Sequence, residues 1–523
     1  MTYRDRVPDD TPAEFTFAPL TPAGFLDRSA AVFAERTAVV DGDVRLTYAE
    51  LADRCARLTS ALARAGVAEG DRVAALCGNS HVMLELHNAV PMRGAVLVSI
   101  NIRLSPSEMA YILEHSGARL LVATRELADT AAALARDAGI ELVVEGEAYD
   151  AWVGGDVDPA DRREVDERSL LAINYTSGTT GRPKGVMYHH RGAALQATAM
   201  AYHARLGPEA RYLWTLPMFH CNGWCFTWAV TAAGGTHVCL RTVDTAETWR
   251  LLRAEGITHF SAAPTVLTMI AEDPAADPLE HRVHVDTGGA PPSPALLARL
   301  DPLGLDVTHL YGLTETFGPI AVNEWQPEWD DLDADARSRL RARQGVGNLI
   351  ARPLRVLDDG GADVPADGET IGQLAARGND VMLGYYRDEE ATAAVTRAGH
   401  FLTGDLAVMH ADGYVEIRDR SKDVIISGGE NIASVEVEQV LDSHPAVVES
   451  AVVAMPDEKW GEVPVAFVTV RSGHELDEDE LTAYLRDRLA HFKVPRRYVS
   501  GELPRTSTGK IRKNVLRERA REG

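Results

Sequence analysis

Lysine is scarce in this chain. Of its 53 Lys+Arg residues only six are lysines, Lys184, Lys422, Lys459, Lys493, Lys510 and Lys513, and none falls in the first 183 positions. Where arginine serves almost everywhere, a retained lysine marks a place that needs a compact, rotatable ammonium. Cysteine is scarce too: Cys55, Cys77, Cys221, Cys225 and Cys239 are few and odd in number, which argues against a disulfide framework and for a reduced, cytoplasmic chain. No stretch approaches the roughly 18 uninterrupted apolar residues of a membrane span. The opening MTYRDRVPDDTPAEF has no apolar h-region, so neither a membrane span nor a signal peptide is expected. Positive charge is in deficit, with a formal net charge of -24. Such a chain repels nucleic acid and anionic lipid, and any phosphate-bearing ligand must be met by local basic groups, so a small-molecule partner is expected.

Two further signatures are missing. The Walker loop reads G-x-x-x-x-G-K-[ST], but from Gly178 this chain reads GTTGRPKG, with the second glycine and the lysine misplaced and no hydroxyl after the lysine. A Walker-type NTPase is disfavoured. His220, Cys221 and Cys225 lack the paired C-x-x-C knuckle of a zinc site and lie in the aromatic, apolar stretch FHCNGWCFTW, which argues against zinc.

What is present is an ordinary globular composition, 45% hydrophobic and 25% charged, over 523 residues, enough for two or more domains. In LTYAELADRCARLTSALARAG, Thr47 and Glu50 form a capping-box pattern, Leu51, Cys55, Leu58 and Leu62 follow at helical spacing, and Gly66 stops the helix. The strand RVAALC comes next. The same alternation recurs in HVMLELHNAVPMRG then AVLVSI, YILEHSG then ARLLVAT, and DTAAALARDAG then IELVVEG. It predicts an α/β fold of helix-covered, mostly parallel sheets, with ligand sites in the loops at strand ends. WQPEWDDLDADARSRLRARQ, residues 325–344, reads as a solvated helical excursion. RPLRVLDDGGADVPADGETIGQLAARG predicts a small β-rich subdomain. A boundary is expected near Arg420, after which helix, strand, strand and helix form a compact α+β domain of about 100 residues. The expected division is 1–419, a hinge at 420–422, and 423–523.

YTSGTTGRPKG, Tyr175 to Gly185, follows the short strand-like run around Ile173 and Asn174. It concentrates backbone donors, hydroxyls and one of the rare lysines, which suits wrapping an anion. TGGAPPSPALL, from Thr287, offers an accessible turn before a helix. HLYGLTETFGP, from His309, supplies Tyr311, whose ring suits a base, and Glu315, a carboxylate suited to magnesium. TGDL supplies Asp405, a carboxylate suited to ribose hydroxyls.

YTSGTTGRPKG, YGLTETFGP, TGDL, DRSKDVIISGGENI and PRTSTGK stand here in the order and spacing of the adenylate-forming superfamily of acyl-CoA synthetases, adenylation domains and luciferases, which the chain resembles over essentially its whole length. PMFHCNGW and QPEWDDLDADARSRLRARQG look most like the branch of short- and medium-chain fatty acyl-CoA ligases and plant acyl-activating enzymes. The resemblance implies two half-reactions: a carboxylate attacks the α-phosphorus of ATP, releasing pyrophosphate, and then a thiol, usually of coenzyme A, displaces AMP. It implies that Thr176, Ser177, Gly178, Thr179, Thr180, Gly181 and Lys184 wrap the β- and γ-phosphates. Gly289, Ala290, Pro291, Tyr311 and Gly312 would line the nucleoside, Thr314 would contact the α-phosphate, and Glu315 would bind magnesium. Asp405 and Arg420 would hold the ribose, and Lys510 would bridge the carboxylate and the α-phosphate. The C-terminal domain would be mobile and turn about Lys422, bringing Gly429, Glu430 and Asn431 to the pantetheine tunnel in its second orientation. His220, Trp224, Thr287 and Gly288 would form the acyl pocket, with His220 gating it or steering the carboxylate. Three alternatives stay open: a carrier-protein phosphopantetheine as acceptor, another nucleophile, or a non-catalytic nucleotide sensor. A homodimer and the identity of the acid stay open as well.

Overall fold

The computed structural model describes residues 18–176, 182–420, 422–427, 430–457, 459–471, 473–474, 477–505 and 511–522. Thr47 and Glu50 form the expected capping box on helix Tyr48–Arg64, which buries Leu51, Cys55, Leu58 and Leu62. The alternation that follows builds one sheet. Its order is Glu141–Val144, Ala118–Ala123, Arg72–Leu76, Val96–Ser99, Leu170–Tyr175, Gly185–His189, parallel throughout except for the last, antiparallel pair.

A second, larger sheet runs Val346–Gly347, Gly318–Val322, Leu305–Leu313, Val283–Thr287, His259–Ala262, Arg211–Trp214, Thr236–Cys239, Thr37–Asp41, Val44–Thr47. It is parallel from Leu305–Leu313 to Thr37–Asp41 and antiparallel at both ends. Thr37–Asp41 therefore belongs to a sheet completed only after the first sheet has been built, a long-range pairing that periodicity does not reveal. Helix His81–Met92, buried at every position, packs in the main core with helices His190–His203 and Phe226–Ala233. A helix buried on all sides belongs between layers. Its one acid, Glu85, is fully buried and receives Arg54 at 2.6 Å and the Tyr149 hydroxyl at 2.5 Å, as a buried carboxylate requires.

The expected β-rich unit is an antiparallel sheet of Arg355–Leu357, Gly372–Ala376, Thr396–Arg397, His400–Met409 and Val415–Arg420. Beyond it come helix Ser434–Asp442, strands Val447–Asp457 and Gly461–Val470, helix Glu478–Arg486, strand Arg497–Ser500 and helix Lys513–Glu522, built around two apolar clusters of their own. Residues 325–344 are helical in part, at Pro327–Asp331 and Ala334–Ala342, but they are more than a solvated excursion. Trp329 meets Tyr414 edge-on at 5.1 Å, and Arg343 pairs with Asp412 at 2.9 Å, so the segment is pinned to the β-rich sheet. No helix among the described residues is long and apolar enough to cross a membrane.

Candidate active site

The stretch expected to wrap an anion lies between the antiparallel strands Leu170–Tyr175 and Gly185–His189 of a hairpin. Tyr175 pairs with Gly185, and the Thr176 amide donates to the Lys184 carbonyl at 3.0 Å, closing its mouth. Gly185 is required there, because a Cβ would lie 2.8 Å from Ile173 Cγ2. Ser177, Gly178, Thr179, Thr180 and Gly181 lie outside the described residues. Lys184 is exposed, with its Nζ 4.9 Å from the centre of the Tyr385 ring.

Strand Leu305–Leu313 carries Tyr311 and Gly312 at its carboxyl end and runs into the 3-10 turn Thr314–Thr316. Thr316 locks that turn: its hydroxyl accepts the Leu313 amide at 2.9 Å and donates to the Gly318 carbonyl at 2.7 Å. The Thr314 carbonyl accepts the Tyr188 hydroxyl at 2.6 Å, and the Thr314 hydroxyl accepts the Cys221 thiol at 3.6 Å. Glu315 is half-buried, and its Oε1 accepts the Tyr385 hydroxyl at 2.7 Å. Segment 382–386 places that tyrosine by backbone bonds on both sides. The Met382 amide donates to the Glu315 carbonyl at 2.9 Å, and the Tyr386 amide donates to the Gly185 carbonyl at 2.7 Å.

Tyr311 donates to Asp405 Oδ2 at 2.5 Å, and Arg420, cross-strand from Asp405, brings its Nε within 3.3 Å of Oδ1. Burial, reinforced by this carboxylate, holds the Tyr311 phenol well above its usual pKa, so it remains a donor. Gly289 and Ala290 are exposed and Pro291 is half-buried, in the turn after strand Val283–Thr287. Thr287 is fully buried, and its hydroxyl is committed to the Ala262 carbonyl at 2.9 Å.

His220 precedes, and Trp224 belongs to, an unusual piece of backbone. Five consecutive residues have positive φ: Cys221 at 50°, Asn222 at 51°, Gly223 at 61°, Trp224 at 54° and Cys225 at 64°. Left-handed backbone costs about 1–2 kcal/mol for each non-glycine residue, so something must hold it. Asn222, fully buried, accepts Asn174 Nδ2 at 2.7 Å and donates to His87 Nε2 at 3.0 Å. His87 in turn donates Nδ1–H to the Met83 carbonyl at 2.7 Å, which fixes the tautomer. Burial lowers the His87 pKa to about 4, so the ring stays neutral and can accept. The turn presents the Trp224 ring to Gly288, where a Cβ would lie 2.9 Å from Trp224 Cη2. Cys221 and Cys225 contact Thr314 and the Phe317 carbonyl through their thiols, as buried free cysteines do.

Around the expected hinge, the Arg420 carbonyl accepts the Asp423 amide at 2.8 Å, exposed Lys422 offers its carbonyl to Arg517 at 3.1 Å, and Arg517 also pairs with Asp423. Glu430 is exposed on strand Glu430–Ile432, where Asn431 pairs with Ile426, while Gly429 lies outside the described residues. Lys510 lies outside them too. Arg505 and Ile511, which flank it in sequence, are joined by an isolated bridge.

Tyr385, Tyr188 and Asn222 were missed by sequence reasoning. GYY, from Gly384, is the only local signal for the first, and nothing in the spacing links it to position 184 or 315.

The AMP-binding enzyme family model matches residues 26–386, and the AMP-binding enzyme C-terminal domain model matches residues 436–510. The chain is 43% identical to the peroxisomal acetate/butyrate–CoA ligase AAE7 of Arabidopsis thaliana, over 98% of this chain and 96% of that protein. It is also 43% identical to the 2-methylpropanoate–CoA ligase CCL4 of Humulus lupulus, over 98% and 97% of the two chains. Among solved structures it resembles ATP-bound MatB from Rhodopseudomonas palustris, with a TM-score of 0.85 and 28% identity, over 95% of this chain and 98% of that one.

Proposed function

The chain belongs to the AMP-binding enzyme family, and from that premise we propose a role for each residue of the site described above. It is an AMP-forming acyl-CoA synthetase, which activates a carboxylic acid with ATP and transfers the acyl group to coenzyme A.

In our reading Lys184 and the hairpin tip hold the phosphates that leave as pyrophosphate, Thr314 meets the α-phosphate, and Asp405 with Arg420 holds the ribose beside a nucleoside lined by Gly289, Ala290, Pro291, Tyr311 and Gly312. Asp405 remains fit for this with Tyr311 and Arg420 attached, because a carboxylate offers about four acceptor positions. Lys510 neutralises charge as two anions, the acid and the α-phosphate, are brought together. Glu315 fits magnesium: it presents a hard oxygen donor, and only Oε1 is taken by a described hydroxyl. Bound there, magnesium would screen the charge of the phosphates.

The observation that carries this reading is convergence. Lys184 and Glu315 meet at one tyrosine, and Tyr311 and Asp405 share one hydrogen bond, although the members of each pair are distant in sequence. We read the acid as short-chain, because the Trp224 indole occupies the space beside Gly288 and the two ligases above are named for acetate, butyrate and 2-methylpropanoate. Free coenzyme A, not a carrier protein, is the acceptor on the same names. We place the enzyme in the cytoplasm, where its five buried, free cysteines stay reduced. We also divide the chain at residues 420–422, with Lys422 as the pivot that exchanges Lys510 for Gly429, Glu430 and Asn431 between the half-reactions.

The test is a product assay across acetate, butyrate, 2-methylpropanoate and benzoate, with and without coenzyme A. Pyrophosphate should appear with the short acids, and acyl-CoA only when coenzyme A is added. Orthophosphate released in place of pyrophosphate would defeat the reading.

A further inference from the structure

Tyr385 is buried to 7% exposure between two groups of opposite charge, donating its hydroxyl to Glu315 Oε1 at 2.7 Å and offering its ring face to Lys184 Nζ at 4.9 Å. These contacts use different parts of one side chain: the hydroxyl addresses the carboxylate, and the π-face addresses the ammonium. The backbone fixes the ring in that position. Residues 382–386 run beside strand Gly185–His189, with an isolated bridge between Val186 and Tyr385, the Leu383 amide donating to the Met187 carbonyl at 3.0 Å and the Met187 amide donating to the Gly384 carbonyl at 3.1 Å. On the other side Met382 is bonded to the Glu315 backbone, and the Tyr385 amide itself donates to Thr392 Oγ1 at 2.9 Å. Backbone bonds therefore tie the segment that carries Tyr385 both to the Glu315 turn and to the strand that follows Lys184.

We propose that Tyr385 is the positioning residue that couples the magnesium carboxylate to the phosphate lysine: its hydroxyl orients Glu315, and its ring sets the resting place of Lys184. This rests on the reading of Glu315 as the magnesium residue and Lys184 as the phosphate lysine. A carboxylate with one oxygen pinned by a hydroxyl presents the other in a defined direction, and loss of such an outer partner typically costs about 10–100-fold in metal affinity. The exposed lysine stem is flexible, and a ring face beneath it shortens the search for the incoming phosphate.

Two substitutions separate the contacts. Tyr385→Phe keeps the ring and removes the hydroxyl, whereas Tyr385→Leu removes both. Mn2+ affinity is measured by paramagnetic resonance on the full chain with a non-hydrolysable ATP analogue, and metal-free binding of the same analogue by calorimetry in EDTA, with Glu315→Gln as the control. Tyr385→Phe should weaken Mn2+ by about tenfold and leave metal-free nucleotide binding within about twofold. Tyr385→Leu should weaken both. Unchanged Mn2+ affinity in Tyr385→Phe, alongside a loss in Glu315→Gln, overturns the positioning role alone. Unchanged Mn2+ affinity in Glu315→Gln removes the metal reading beneath it. Equal losses in Tyr385→Phe and Tyr385→Leu on both measurements overturn the division of labour between hydroxyl and ring.

Discussion

Tyr311 donates a hydrogen bond to Asp405 across 94 residues of sequence, at 2.5 Å, and joins the end of a parallel strand in the large sheet to the antiparallel β-rich unit. The residues proposed to face the base and the ribose thus form a single hydrogen-bonded pair, with Arg420 on the other carboxylate oxygen. Tyr311→Phe leaves a buried carboxylate short of one donor. Hydrogen bonds to charged groups contribute about 1.5–3 kcal/mol, so chemical denaturation should show a loss in that range. The KM for ATP should rise about tenfold, with the KM for the acid little changed.

Asp380 gives the stability a pH dependence. It is fully buried, its Oδ2 accepts Asn348 Nδ2 at 3.0 Å, and its Oδ1 has no hydrogen-bond partner among the described residues. Burial raises its pKa to about 7 from the usual 3.8. A raised folded pKa means the native state holds the proton more tightly, so this contribution is full below about pH 3.8 and is lost as pH rises through about 7. Asp380→Asn mimics the protonated form. It should stabilise the protein at pH 8 by on the order of 4 kcal/mol and change little below about pH 3.8, read from denaturation midpoints.

His87 acts in the opposite direction. Its pKa is lowered from 6.5 to about 4, so the stability it contributes is present above about pH 6.5 and is lost as pH falls through about 4. Because its neutral Nε2 accepts from Asn222, acid should loosen the left-handed turn first. The intrinsic fluorescence of Trp224 and Trp228, both in or beside the turn, should shift before global unfolding. A coincident transition would dissociate His87 from the turn.

In the proposed reading Trp224 limits the acid. Trp224→Gly removes the indole that lies against Gly288 and tolerates the left-handed φ of 54°. The kcat/KM for acetate should fall, while that for acids several carbons longer should rise by about tenfold, on the order of 1.4 kcal/mol of pocket contact. Unchanged ranking across the acids would place the selective wall elsewhere.

The proposed motion about Lys422 has a visible cost. Asp419, before the pivot, accepts the amide of Ser434, after it, at 2.5 Å, and Arg471 reaches Glu272 at 3.5 Å. Rotation must break or carry these contacts. Lys422→Pro, which restricts φ, should reduce thioester formation more than pyrophosphate exchange, measured separately by mass spectrometry and isotope exchange.

The capping box at Thr47 and Glu50, the strand RVAALC and the β-rich unit were legible in the sequence because they are written in local periodicity and side-chain chemistry. The pairing of Thr37–Asp41 with Thr236–Cys239 was not, since periodicity states the element and not its neighbour. The site divides the same way. Lys184, Glu315 and Asp405 stood out by residue type inside unusual sequence stretches. Tyr385 and Asn222 matter by where the fold delivers an ordinary side chain, and no spacing carries that. Five left-handed residues in a row containing a single glycine, Gly223, give no warning in composition.

Lys510→Ala tests the two-step chemistry most directly, with ATP–pyrophosphate exchange and thioester formation from supplied acyl adenylate measured on the same preparation. Exchange should fall by on the order of 100-fold or more, while the thioester still forms from the supplied adenylate. Unchanged exchange would contradict the assignment of the carboxylate-meeting lysine, and with it the division of labour between Lys184 and Lys510.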